Sequence, residues 1–192
     1  MVDADARIGT ACDAYVREVL RFSAALNLTS IKEPEAFRRR FVVPSMALCR
    51  WMPEQGRLLD VGSGMGIPGI PILIACTGLQ GVLVERRKKR AEFLRHVVRL
   101  LGLDATVYDR DVQQLECLHV DVCVARAVTH PEALLSMCAT HVNPGAKAVL
   151  PVADDSLPAS LPAWRLDEEC RVGEHVMQKV HIYRYAEVSR ET

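Results

Sequence analysis

The sequence predicts an α/β fold: a mostly parallel, seven-stranded sheet with helices on both faces, finished by an antiparallel hairpin. Three observations predict it. Short apolar runs alternate with helical patterns between residues 57 and 150. A glycine-dense loop joins the first of those runs to a helix whose start is marked by proline. The last quarter drops the alternation and carries two strand-like stretches around a short polar turn.

The elements follow in order. Tyr15, Val19, Leu20, Phe22 and Leu26 recur at helical spacing, which predicts an amphipathic helix over residues 13–26. Pro34 opens a second helix and Pro44 a third that ends near Trp51. Together these helices form an N-terminal extension, residues 1–55, packed on a core of residues 56–192 as one structural domain. Strand one covers 57–61 and its helix 68–76. Strand two covers 81–85, followed by a helix over 87–101 that buries Phe93, Leu94, Val97, Val98 and Leu101 and ends at a left-handed Gly102. Strands three and four cover 105–108 and 120–125. A helix over 131–141 leads to the turn Asn143-Pro144-Gly145 and strand five, 146–150. Residues 151–162 read as loop, and the hairpin stretches lie near 170–177 and 180–188.

Composition narrows the class. The 192 residues fit one main domain and leave no room for the separate substrate domain of a typical dehydrogenase. Hydrophobic residues make up 49%, enough for a real core. Twenty-four basic residues balance 24 acidic ones, so only local clusters, not the whole-molecule field, can mark a nucleic-acid partner. The 7 cysteines contain no C-x-x-C and no zinc spacing, which fits reduced thiols in a cytoplasmic protein and no metal. The acidic start, Met1 to Asp5, lacks the features of a signal peptide. No apolar run reaches membrane-spanning length. A soluble cytoplasmic monomer is expected.

The loop carries the chemistry. Leu58-Leu59-Asp60-Val61 runs into Gly62-Ser63-Gly64-Met65-Gly66-Ile67-Pro68-Gly69. Glycines there admit unusual dihedrals and close approach of a ligand above the carboxyl end of the strand. Gly64, Gly66 and Gly69 also satisfy the dinucleotide fingerprint G-x-G-x-x-G. A carboxylate at Asp60 repels a pyrophosphate but favours the sulfonium and ammonium of S-adenosylmethionine. Glu85, at the end of the second strand, is placed to accept from ribose hydroxyls with either cofactor. S-adenosylmethionine is preferred, and a parallel core finished by a hairpin matches the Rossmann-like methyltransferases.

Several stretches together resemble one family. They are Leu26-Asn27-Leu28-Thr29-Ser30, the loop from Asp60 to Pro71, Lys89-Arg90-Ala91-Glu92-Phe93-Leu94, and Arg126-Ala127. The chain is similar from about Tyr15 to Tyr185 to the ribosomal RNA small subunit methyltransferase G family, also called glucose-inhibited division protein B. The most specific part is G-x-G-x-G-x-P-G-I-P, whose two prolines generic methyltransferases lack. The resemblance implies a class I S-adenosylmethionine-dependent methyltransferase that modifies a guanine N7 of 16S rRNA, on the small subunit or its precursor. It implies that Gly62 and Ile67 line the cofactor loop with Ser63, Gly64 and Gly66, and that Glu85 stands at the ribose. It further implies that Asp111, Val112 and Gln113 embrace the adenine, and that Arg110 and Arg126 lie on the cofactor and RNA side.

The chain departs from the family at four places. Phe41 and Pro44 stand where a His and an Asp are common, Ala125 replaces the Ser before Arg-Ala, and Pro151-Val152 replace Lys-Gly. A non-catalytic, ribosome-associated protein that binds S-adenosylmethionine, and a small dinucleotide-dependent oxidoreductase, remain alternatives.

Guanine N7 carries an accessible lone pair, so in-line attack on a sulfonium methyl requires no catalytic base. Proximity then does most of the work, with Arg126 orienting cofactor and nucleotide or, alternatively, paired with Asp121. Two basic stretches could meet RNA: Arg86, Arg87, Lys88, Lys89 and Arg90 with Arg95 and Arg99, and Arg38-Arg39-Arg40. The first begins beside Glu85, which favours it for phosphate contact.

Overall fold

The computed structural model describes residues 2–126, 130–173 and 177–186. Seven strands form one sheet: β1 (Gly56–Val61), β2 (Leu79–Val84), β3 (Ala105–Tyr108), β4 (Val120–Ala125), β5 (Val142–Val152), β6 (Trp164–Val172) and β7 (Gln178–Tyr185). Their order is β3-β2-β1-β4-β5-β7-β6. The first five strands are parallel, while β7 runs antiparallel to both β5 and β6. The order reverses between β1 and β4, so a crevice opens at the carboxyl ends of those strands.

The helices are α1 (Val2–Leu26), α2 (Pro34–Phe37), α3 (Val43–Met46), α4 (Gly69–Ala75), α5 (Lys88–Leu101) and α6 (Pro131–Ala139). On one face of the sheet, Tyr15, Val16, Phe37 and Leu48 share a hydrophobic cluster with Leu58, Ile70, Leu83 and Leu94. On the other face, Leu134, Leu135, Trp164 and Tyr183 cluster with Leu59, Val82 and Ala148. The Trp164 indole N–H donates to the Leu135 carbonyl at 3.0 Å, so its polar edge is satisfied inside that core. Gly102 ends α5 at φ 61, ψ 34, in the left-handed conformation its sequence position predicts.

Several elements differ from the expectation. Helix α1 begins at Val2 rather than near Asp13. Asp13 is an interior helix position whose carboxylate pairs with Arg38, not a cap. Residues 34–51 are helical without a break: α3, which has Pro44 in its first turn, follows directly on a π-helical turn over Arg38–Val42 and runs on into a 3-10 turn that ends at Trp51. Strand β5 is longer than 146–150: Val142 pairs with Val120 and Lys147 with Val122, and Asn143-Pro144-Gly145 bulge out between them. Strand β6 begins at Trp164, and Gln178 and Lys179 belong to β7 instead of a turn. β6 escaped the apolar pattern because it is an edge strand with a charged, exposed middle, as edge strands commonly are.

No helix among the described residues is long and apolar enough to cross a membrane. No group of His, Cys, Asp and Glu side chains among them could hold a metal ion.

Candidate functional site

The glycine loop is held from three sides. From β1, the Gly69 N–H donates to Asp60 Oδ2 at 3.2 Å, and the Ser63 hydroxyl donates to the Asp60 carbonyl at 2.9 Å. From β2, the Glu85 carboxylate accepts the Gly64 N–H at 3.0 Å through Oε2 and the Arg87 N–H at 2.8 Å through Oε1. From α1, the fully buried Tyr15 donates its hydroxyl to the Met65 carbonyl at 2.9 Å. Gly62, Gly64 and Gly66 have φ of 69°, 57° and 96°, a region L side chains rarely adopt. Gly69 answers to space: a Cβ there would stand 2.5 Å from Asp60 Oδ2.

Above the loop lies a cavity of about 640 Å3 at the carboxyl ends of β1, β2 and β4. Gly62, Ser63, Gly64 and Ile67 of the loop line it together with Glu85, Asp111 and Val112. Arg86, Arg87, Arg110 and Arg126 line it as well, as do Leu28, Phe41, Met65, Arg90 and Met137. Glu85 is only 6% exposed, yet two of its roughly four acceptor positions are taken, leaving others open toward the cavity.

Five expected site residues lie elsewhere. Asp60 is fully buried beneath the loop and does not line the cavity, because its carboxylate turns into the β1–α4 junction. Burial pushes its pKa up to about 7, against the lowering effect of Ser63 and the Gly69 N–H and with a further rise from Glu85. One of its oxygens, Oδ1, has no hydrogen-bond partner. The carboxylates that do line the cavity are Glu85 and Asp111. Gly66 lies under the loop against Ile70. Gln113 is exposed, and its backbone N–H goes to Asp111 Oδ1 at 3.0 Å, capping a short 3-10 turn. Lys88 and Lys89 are exposed on the first turn of α5, beside the cavity but not in its wall.

Arg126 lies 4.7 Å over the Phe41 ring. It makes no ion pair with Asp121, whose oxygens take the Arg57 N–H and the Asn143 amide instead. Burial and then the nearby Arg40 lower the pKa of Arg126. Arg90 donates to the carbonyls of Leu26 and Asn27, tying the end of α1 to α5, so that member of the basic run is committed within the protein. Of the other departures, Pro44 is buried in the helical run and Ala125 ends β4 at 2% exposure. Pro151 pairs with Val180 beyond Val149, the last β5 residue aligned with β4, where a missing N–H is tolerated.

The sequence pattern missed Tyr15 and Met137 as site residues. Tyr15 reads as one more apolar position, and nothing local announces that its hydroxyl meets a loop 50 residues away.

The model of the family described as rRNA small subunit methyltransferase G matches residues 9–153. The chain belongs to this family. A member from Stenotrophomonas maltophilia (strain R551-3), named ribosomal RNA small subunit methyltransferase G, is 35% identical over 172 residues, 85% of this chain and 79% of that protein. One of the same name from Xylella fastidiosa (strain M23) is 47% identical over 90 residues. That match spans 47% of this chain and only 42% of the length of the Xylella protein. Among solved structures, MtNAS in complex with MTA and tNA superposes with a TM-score of 0.59 at 20% identity, over 93% of this chain and 71% of that one. At that identity the likeness speaks for the fold alone, the sheet and its flanking helices.

Proposed function

We propose that this chain transfers a methyl group from S-adenosylmethionine to a guanine N7 of 16S rRNA, in the small subunit or its precursor. The observation that carries the reading is Glu85: a buried carboxylate at the end of β2, clamped to the Gly64 N–H, with acceptor positions open to the cavity. A vicinal diol suits that acceptor. The cavity volume lies within the roughly 300–1,000 Å3 range of small-molecule sites. S-adenosylmethionine supplies an electrophilic methyl on a cationic sulfur. The chain's part is to hold that methyl in line with the base, through the loop, Glu85, Asp111, Val112 and Arg126, and to draw the RNA backbone to the rim.

The rim fits an anionic partner. Helix α5 begins at Lys88 with no acidic residue in its first turn, so Arg86, Arg87, Lys88 and Lys89 crowd the end where the helix dipole is already positive. Such a local conflict is expected where a site serves function rather than stability. Phosphates at this helix start relieve it. In this reading residues 1–55 cap a methyltransferase core of residues 56–192, and the protein acts as a monomer in the cytoplasm.

The test is to map N7-methylguanine in small-subunit rRNA from cells with and without the gene, beside calorimetric titration of the protein with S-adenosylmethionine and NAD. The reading expects a mark lost with the gene and affinity for S-adenosylmethionine only. Binding without any mark would make the chain a non-catalytic ribosome-associated protein.

A further inference from the structure

The helical run over residues 34–51 changes character where it meets the cavity. Pro44 has no N–H to offer the Arg40 carbonyl four residues earlier, and the turn over Arg38–Val42 is widened into a π-helix. The Ser45 hydroxyl donates to the Phe41 carbonyl at 2.6 Å and ties the widened turn. The turn brings Phe41 to the cavity wall, where Phe37 packs against it with ring centroids 5.0 Å apart. Arg126 reaches the same place from the end of β4 and lies over the Phe41 ring. Among the described residues no carboxylate pairs with Arg126, and its charged neighbour is another arginine, Arg40. The aromatic face is therefore what holds this guanidinium.

We propose that Phe41 is a positioning residue for methyl transfer: its ring keeps the Arg126 guanidinium flat, so that the target guanine stacks on the guanidinium face. This rests on the reading of the cavity as a guanine-N7 methyl-transfer site. The orientation matters chemically. An arginine fork that meets guanine edge-on bonds O6 and N7 together, the commonest arginine–guanine contact. That contact would occupy the lone pair that must attack. A guanidinium stacked on the base holds it through its face and leaves N7 open. The N7 lone pair then forms the new bond to the methyl carbon as the carbon–sulfur bond breaks. Sulfur keeps the bonding pair as a neutral thioether, the purine takes the positive charge, and no proton moves.

Single-turnover transfer of labelled methyl from S-adenosylmethionine to small subunits lacking the mark tests this. Phe41→Leu keeps apolar bulk and removes the face. Its maximal rate should fall about tenfold, the scale of a partly desolvated cation–π contact. The half-saturating subunit concentration should hold or tighten, because the released fork can grip the base edge. Phe41→Tyr, which keeps the face, should transfer at near the wild-type rate. In an Arg126→Ala background, Phe41→Leu should cost nothing more, since it acts through Arg126 alone. An undiminished maximal rate in Phe41→Leu, an equal loss in Phe41→Tyr, or full additivity with Arg126→Ala overturns the proposal. Wild-type protein that leaves N7 unmethylated overturns the reading of the cavity instead.

Discussion

Glu85 and Asp60 are two buried carboxylates on neighbouring strands, and their surroundings give them opposite tasks. Glu85 accepts two backbone N–H groups and faces the cavity. A hydrogen bond to a charged group is worth about 1.5–3 kcal/mol, so Glu85→Ala should weaken cofactor binding by about 10- to 150-fold. S-adenosylmethionine and S-adenosylhomocysteine share the same ribose, so calorimetry should find the same loss for both. A loss confined to one of them would remove Glu85 from the ribose. Asp60 faces no ligand, and burial holds its pKa near 7. From the ordinary carboxylate range up to about pH 7, the folded protein keeps a proton that the unfolded chain has released. Folding stability therefore falls as pH rises through that window, and the penalty is complete above the folded pKa. Asp60→Asn still offers an oxygen to the Gly69 N–H and removes the titration. Melting curves at pH 5 to 8 should show the variant gaining on the wild type up to about pH 7 and then running parallel to it. A pH-independent difference between the two proteins would refute this.

At the scale of elements, the glycine loop depends on α1 as much as on the strands beneath it. Tyr15→Phe removes one hydroxyl from a fully buried ring and leaves the Met65 carbonyl without its donor. An unsatisfied buried acceptor costs about 1–3 kcal/mol. Because the bond lies between α1 and the loop, the amides of residues 64–67 should exchange faster with solvent while those of α6 keep their protection. Uniform loss of protection would mean that Tyr15 serves only the core. This contact also marks the limit of what the sequence discloses. The alternation over 57–150 was legible because each strand is an apolar run and each helix an amphipathic one, and the residues just past β1 and β2 could be placed at the pocket from that alone. The start of α1, the single helical run over 34–51 and the edge strand β6 were not legible. The helical run passes through a π turn just ahead of Pro44, and β6 is a charged strand that ladders onto β7. At the site, Tyr15 on the loop and Arg126 on Phe41 are contacts between segments far apart in sequence, which no local pattern announces.

At the scale of the molecule, a net charge of zero coexists with a one-sided cluster of cations at the cavity rim. Arg86, Arg87, Lys88 and Lys89 are exposed in sequence at the start of α5, and none of them pairs with a carboxylate among the described residues. An unpaired cation that meets a phosphate releases a condensed counterion, and this release makes affinity depend on salt. Lys88 and Lys89 suit a test best, because they stand beside the cavity without lining it. Replacing both with alanine should leave S-adenosylmethionine affinity unchanged. It should weaken binding to small-subunit rRNA and lower the slope of log affinity against log salt by about 1.4–1.8, which is about 0.7–0.9 for each phosphate no longer neutralised. The change should be similar for RNAs of different sequence, since phosphates carry no base identity. If binding weakens with the slope intact, the lysines act on the fold of α5 and not on phosphate. If neither quantity moves, the RNA backbone runs past another part of the rim, and the arginines that line the cavity, Arg86, Arg87, Arg110 and Arg126, are the next to test.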